Sequence, residues 1–303
     1  MTDLKKPKIG FIGQGFIGKN YADDFEKRGF TVIRFAKEEP YHLNEGKIKE
    51  ADIVFVAVPT PSTPDGFDDS ILRSVMKYVG KGKTVVIKST ILPGTVESIQ
   101  TENPDIFVMH SPEFLTEATA EHDAGNPNRN IIGIPTETAE YQDRAKQVLS
   151  VLPKASFEVI CKSKEAELIK YAGNNWLYLK VVYVNMLYDL AMNLGCEWDT
   201  IRDAMSADPR IGKSHLMPVH VSGTLGSNNG NEDKSSKDNG LRGAGGHCFI
   251  KDFAAFRELY ARVGDEVGNS VLKSLEDKNI DLLKKSKKDL DLLAGVYGED
   301  INK

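Results

Sequence analysis

The chain has 303 residues, 40% of them hydrophobic and 27% charged, which is enough for two domains with separate cores. Its net charge of -5 leaves no basic excess for general nucleic-acid binding. No apolar run approaches the roughly 20 residues that span a bilayer, so neither a nucleic-acid nor a membrane partner is expected.

The opening MTDLKKPKIGF lacks the apolar core of a signal peptide. Next, KIGFIG (8–13) reads as a buried strand, GKNYADDFEKRG (18–29) as an amphipathic helix ending at Gly29, and FTVIRFA (30–36) as a second strand. ADIVFVAVP (51–59), KTVVIKST (83–90), IFVMHS (106–111) and NIIGI (130–134) are further strand-like runs. Apolar runs with little alternation suit a parallel sheet covered on both faces. The βαβ rhythm predicts a Rossmann-like, doubly wound α/β domain over residues 1–155. From Lys164 to Leu194 only Gly173 punctuates a helical pattern whose apolar residues fall on more than one face. Such a helix belongs inside a domain or against a second subunit. EWDTIRDAMSA (197–207), KDFAAFRELYARVG (251–264) and residues 269–298 are also helical in pattern, so residues 156–303 are expected to form an all-helical domain around a long central helix. Within it, the Gly/Ser/Asn-rich stretch at about 219–242 reads as a mobile loop. Lys284, Lys285, Lys287 and Lys288, flanked by Asp281, Asp289 and Asp291, read as a solvated helix face.

Gly13-x-Gly15-x-x-Gly18 follows a strand and opens a helix, the context in which this spacing cradles a dinucleotide pyrophosphate. The acidic residue that usually ends the second strand and binds the ribose is missing. Ala36 stands there, with Glu38 and Glu39 just beyond. Arg34 and Lys37 leave room for a 2'-phosphate and hence NADP, while NAD is the expected cofactor.

Lys170 and Asn174 are spaced to share one helix face, where an ammonium and a carboxamide can hold an oxygen as it gains negative charge. Glu113 and Glu117 would share a face too if their segment is helical, and paired carboxylates suit general acid–base work. Thr90 ends a strand at the edge where doubly wound folds bind ligands. Three widely spaced cysteines, Cys161, Cys196 and Cys248, form neither a disulfide framework nor a CxxC pair, so a reducing, cytoplasmic setting is expected. Cys248, in GAGGHCFIKD, can be read as a packed thiol, a metal ligand or a nucleophile. His215, His220, His247 and Cys248 match no common zinc spacing, and no metal is expected. As a nucleophile, Cys248 would attack an aldehyde, with Lys251 and the amides of the glycine loop favouring the thiolate and Asp252 ordering a water with Lys170. Cys161 and Cys196 read as packed thiols.

Five segments in order, VAVPTP (56–61), KSTILPGT (88–95), SPEFLTEATA (111–120), AELIKYAGN (166–174) and GGHCFIKD (245–252), resemble the UDP-glucose/GDP-mannose dehydrogenase family, as do DAGNPNRNIIG (123–133) and DPRIG (208–212). The resemblance reaches about Tyr260. It implies NAD-dependent, four-electron oxidation of the C6 alcohol of a UDP-glucose-like nucleotide sugar to the uronate, through a cysteine thiohemiacetal and thioester. By the same resemblance, Cys248 is the nucleophile, Lys170 and Asn174 support oxyanions, Glu113 assists thioester hydrolysis, Thr90 helps position water, and Asp252 completes the catalytic set. Cofactor contacts are implied at Gly13, Gly15, Phe16, Ile17, Gly18, Pro59, Thr60, Ser89, Thr90, Glu117 and Lys251. Substrate contacts are implied at Glu113, Phe114, Leu115, Lys170, Asn174, Arg210, Gly245 and Gly246. The long helix is the family's dimer-forming helix, so a homodimer is expected. The chain departs from the pattern in its length, short of the family's C-terminal nucleotide-binding domain, in its long loop between Arg210 and Cys248, and in Ala118 where glycine is common. Two alternatives stay open: a two-electron β-hydroxyacid dehydrogenase, which also pairs a lysine with an asparagine, and a non-catalytic nucleotide-binding protein.

Overall fold

The apolar runs are short and pair into one sheet, with Ile9–Ile12, Ile53–Val56 and Thr84–Ile87 of its centre buried along their whole length. The structure, a computed structural model, describes residues 6–219 and 241–302. Its strands are β1 (Ile9–Ile12), β2 (Val32–Phe35), β3 (Ile53–Val56), the short β4 (Ser62–Thr63) and β5 (Gly66–Phe67), β6 (Thr84–Ile87), β7 (Phe107–His110), β8 (Arg129–Ile134) and β9 (Phe157–Lys162). Its helices are α1 (Phe16–Lys27), α2 (Ser70–Val75), α3 (Thr95–Glu102), α4 (Ala120–Gly125), α5 (Ala139–Val151), α6 (Ser163–Asn193), α7 (Trp198–Ala207), α8 (Gly246–Val263), α9 (Glu266–Ser286) and α10 (Leu290–Tyr297). The chain divides into two units: residues 1–60 with 68–170, and residues 61–67 with 171–303.

The first unit holds a seven-stranded sheet in the order β2-β1-β3-β6-β7-β8-β9. Neighbours are parallel except β7 and β8, which run antiparallel. Strand order reverses at β1, between β2 and β3, and this is the point where such sheets open a ligand crevice beyond their carboxyl ends. In the core of this unit Phe11 stacks on Phe55 and Phe25 meets both at an angle, with ring centroids 5.1–5.6 Å apart. β9 lies beyond the expected boundary at residue 155. It pairs with β8 at six register positions and belongs with the sheet, as do the first residues of α6.

In the second unit, α6 from Tyr171 onward packs with α7, α8 and α9, and α10 packs on α8 and α9. Tyr178 of α6 stacks on Phe253 of α8 at 3.9 Å, inside a cluster with Val181, Val182 and Ala244. The β4–β5 hairpin adds a small strand pair to a unit expected to be wholly helical. The apolar residues of α6 divide. Tyr178, Val182 and Val184 are buried, whereas Trp176, Tyr183, Met186 and Leu190 form an exposed stripe, Trp176 at 67%. The lysine-rich stretch is not a uniform solvated face. Lys284 and Lys285 lie on α9, Lys287 takes a left-handed φ of 57°, and Lys288 is buried. Of the loop expected at about 219–242, residues 220–240 fall outside the described residues, and His220 with them.

Candidate active site

The first unit holds the glycine turn between β1 and α1. Gly13 has φ +91°, and a Cβ there would meet the Ala57 carbonyl oxygen at 2.1 Å. A Cβ on Gly18 would meet the Gly13 carbonyl oxygen at 2.0 Å, so both glycines are required by close backbone approach. Gly15 is the N-cap of α1 without a side-chain cap, and a Cβ there would meet nothing within 4 Å. The turn thus leaves open space at a helix N-terminus, where a pyrophosphate is favoured by the amides and the helix dipole. Ile17 packs on the core and Phe16 is exposed. Across the switch point, Ser89 Oγ accepts from Val58 N–H (3.0 Å) and donates to Val58 C=O (2.7 Å), while Thr60 Oγ1 donates to Thr90 C=O (2.7 Å). These bonds hold Pro59 at an exposed turn.

Arg34 is not available to a 2'-phosphate. Its guanidinium is buried and donates to Glu26 (3.0 and 2.7 Å), with Asp23 at 2.7 Å and Gln14 at 3.3 Å. Ala36 is buried after β2, Glu38 and Lys37 are exposed, and Glu39 faces His42 at 3.1 Å.

Beyond β6 and β7 the same unit holds a buried charge cluster. Lys170 Nζ donates to Glu113 Oε1 and to the Glu113 carbonyl, each at 2.7 Å, and both side chains are over 90% buried. Lys88 Nζ donates to Ser111 Oγ at 3.0 Å and lies 4.5 Å over the Tyr21 ring. Burial lowers the Lys88 pKa to about 7, with Lys170 adding to the fall and Glu113 opposing it. Sequence reasoning passed over Lys88; its signal was a lysine closing an unbroken apolar run.

Glu113 and Glu117 do not share a helix face. Pro112 disfavours helix for the residue before it, and Glu113 Oε2 accepts from Leu115 N–H at 2.8 Å, holding a turn. Glu117 is exposed and opens a 3-10 turn, Glu117–Thr119. Phe114 carries Arg129 over its ring at 3.6 Å, and Leu115 packs on the core. Beside them lies a cavity of about 350 Å³ lined by Tyr21, Phe114, Leu115, His122, Asp123 and Arg129, among others.

The second unit places Cys248 in the first turn of α8, exposed and in no disulfide. One turn on, Asp252 is 1% exposed, accepts from Asn174 Nδ2 at 2.6 Å and pairs with Lys251. Ser62 of β4 donates to the Lys251 carbonyl at 2.9 Å. Lys251 Nζ therefore sets an ammonium against the buried Asp252 carboxylate. Gly246 N–H is committed to Asp289 Oδ2 at 2.7 Å and Ala244 N–H to Asn279 Oδ1 at 2.7 Å, so two amides expected to favour a thiolate are taken by internal acceptors. Gly245, the N-cap of α8, lies against Asp289. Arg210 is 87% exposed and ion-paired with Asp208 at 2.6 Å, in a turn that Lys180 Nζ pins through the Ile211 carbonyl at 2.9 Å. Cys196 is exposed rather than packed, because it follows the end of α6. Cys161 is half-buried on β9, and burial pushes its pKa up to about 11.

Residues 41–152 match the NAD binding domain of the UDP-glucose/GDP-mannose dehydrogenase family, and residues 164–227 match its central domain. The chain belongs to this family. The match to its NAD binding domain, with the glycine cradle and the internally paired Arg34, makes NAD the cofactor. The UDP-glucose 6-dehydrogenase of Rickettsia typhi is 28% identical over 244 residues, 77% of this chain and 51% of that protein. The chain spans about half the length of the curated relatives it matches. Among solved structures, a UDP-glucose dehydrogenase from the hyperthermophilic archaeon Pyrobaculum islandicum superposes with a TM-score of 0.74 at 23% identity, covering 97% of this chain and 72% of its own. The 3-hydroxyisobutyrate dehydrogenase of Mycobacterium tuberculosis superposes with a TM-score of 0.67 at 15% identity, covering 97% and 98%. Both of these likenesses are of fold alone.

Proposed function

We propose that this family member is an NAD-dependent nucleotide-sugar 6-dehydrogenase that oxidises the C6 alcohol of a UDP-glucose-like substrate to the uronate. The observation that carries this reading is the exposed Cys248 one helical turn before an Asp252 held by Asn174 and Lys251. A single oxidation of an alcohol has no use for a thiol, whereas capture of an aldehyde does. NAD, when bound, supplies the hydride acceptor, one molecule for each of the two oxidations.

In the first oxidation the alcohol gives up a hydride and a proton, becoming an aldehyde. Lys170, fixed on Glu113, stabilises the negative charge on that oxygen, and Asn174 donates to the same developing charge. The Cys248 thiolate adds to the aldehyde carbon as the oxygen takes a proton, giving a thiohemiacetal. Loss of the second hydride and that proton leaves a thioester. Water, ordered by Asp252 and Thr90 and activated by Glu113, cleaves the C–S bond and returns the thiol with a carboxylate. Phe114, Leu115, Arg210, Gly245 and Gly246 hold the substrate, and Pro59, Thr60, Ser89, Glu117 and Lys251 complete the cofactor contacts. The exposed stripe of α6 from Trp176 to Leu190 meets a second copy to form a homodimer in the cytoplasm.

Full-length similarity in fold to a hydroxyacid dehydrogenase favours the second reading, a single two-electron oxidation that uses Lys170 and Asn174 alone. The separating experiment supplies UDP-glucose and other nucleotide sugars with NAD or NADP and counts reduced cofactor. Two NADH per sugar and a uronate are expected, and Cys248→Ser should abolish uronate formation. One NADH per substrate, or a Cys248→Ser enzyme that still forms the uronate at the full rate, would overturn the covalent route.

A further inference from the structure

The cysteine-bearing turn is held from behind by one short segment, Asn279 to Asp289, that lies outside the resemblance read from sequence. Arg242, Gly243, Ala244 and Gly246 each have a backbone group bound by a side chain of that segment. Ser286 Oγ accepts from Arg242 N–H and donates to the Arg242 carbonyl, both at 3.1 Å. Lys288 Nζ donates to the Gly243 carbonyl at 2.9 Å. Asn279 accepts from Ala244 N–H at 2.7 Å and donates to Ala244 C=O at 3.0 Å, as a neighbouring strand would. Asp289 Oδ2 accepts from Gly246 N–H, at the first turn of the helix that carries Cys248.

The fit explains the glycines. Gly243 has φ +95°, and a Cβ there would press on Asn279 and Leu283 at 3.1 Å. A Cβ on Gly245 would meet Asp289 Oδ2 at 2.1 Å and Lys288 Cε at 2.7 Å. Asn279 and Lys288 are 2% and 1% exposed, and burying an ammonium is costly unless its protons are used. Gly245 gives α8 no side-chain cap, and the cap comes from Asp289, 43 residues beyond the Gly246 amide it accepts from.

We propose that Asn279, Lys288 and Asp289 are positioning residues for Cys248: they lock the GAGG turn so that the first turn of α8 presents the thiol at one fixed place. This rests on Cys248 being the nucleophile. Displacing a reacting group by about 1 Å can cost about a hundredfold in rate without touching substrate affinity, so the signature is a loss in kcat with little change in KM.

The test compares Asp289→Ala with Asp289→Asn in the full chain, using NADH formation from UDP-glucose and amide exchange of the peptide 242–249. Asp289→Ala should lower kcat about tenfold to a hundredfold, change KM by less than about twofold, and speed exchange at Gly246. Asp289→Asn keeps an acceptor for Gly246 N–H and should restore most of kcat. A wild-type kcat in Asp289→Ala, or an asparagine variant as impaired as the alanine one, would overturn the proposal. If the wild type turns over no sugar nucleotide, the functional reading fails by itself. Exchange then decides the positioning role, with unchanged protection at Gly246 counting against it. If Asp289→Ala does not fold, Lys288→Met carries the same two readouts, with equal kcat or equal protection at Ala244 as the refuting result.

Discussion

Lys88, Glu113 and Lys170 set two lysines around one carboxylate inside the first unit, and Lys88, which bonds Ser111 rather than the carboxylate, bears the cost of burial. Its pKa falls to about 7, against an ordinary value of 10.5. Between those values the unfolded chain binds a proton at Lys88 that the folded chain does not, so stability contributed by this residue rises with pH through that window. Thermal melts from about pH 7 to 9 should therefore show wild type gaining on Lys88→Met, by at most about 1.4 kcal/mol per pH unit. Parallel curves for the two proteins would contradict a neutral Lys88. A second expectation concerns the Lys170–Glu113 pair. Glu113→Ala should destabilise the fold by about 3 kcal/mol, because it strands a buried ammonium, whereas Glu113→Gln keeps an acceptor and should cost less in a urea titration.

Among elements, α3 shows how a family segment serves structure as well as chemistry. Glu167, in the first turns of α6, accepts from Gly94 N–H at 2.6 Å and Val96 N–H at 2.8 Å, capping the N-terminus of α3 with a carboxyl group. Burial pushes its pKa up to about 7. Glu167→Ala should lower the urea midpoint by an amount equivalent to about 2 kcal/mol, with exchange quickening first in peptide 94–102. Strands β1–β3 and β6–β8, α1 and the glycine turn were legible in the sequence, because continuous apolar runs and fixed glycine spacing are local signals, whereas β9, exposed or half-buried along its length, was not. The β4–β5 hairpin was not, since two-residue strands around Pro64-Asp65 are too short to show a period. The helical reading of Glu113 and Glu117 failed where Pro112 and a side-chain-held turn overrode spacing. Lys288 and Asn279 looked like ordinary polar helix residues, because their partners lie more than 30 positions away. At the site, the resemblance named Lys170, Asn174, Cys248 and Asp252, but not Asn279, Lys288 and Asp289, which bind the backbone of the turn ahead of Cys248.

For the whole molecule, the exposed stripe on α6 makes a concrete prediction about assembly. Trp176, Tyr183, Met186 and Leu190 recur at helical spacing, and covering them would remove a large apolar area from water. Sedimentation should give twice the 33.5 kDa chain mass for wild type, and Trp176→Glu with Leu190→Glu should shift it to the monomer. A wild-type monomer at micromolar concentration would refute the dimer. The ion pairs of Arg34 carry a consequence for cofactor exchange by engineering or drift. The arginine that a phosphorylated dinucleotide would need is already present in β2, but Glu26 and Asp23 hold it from opposite ends of one helical turn. Neutralising either acid alone leaves the other in place, so a new preference would have to be reached through a double change, and single substitutions along that path would show no gain.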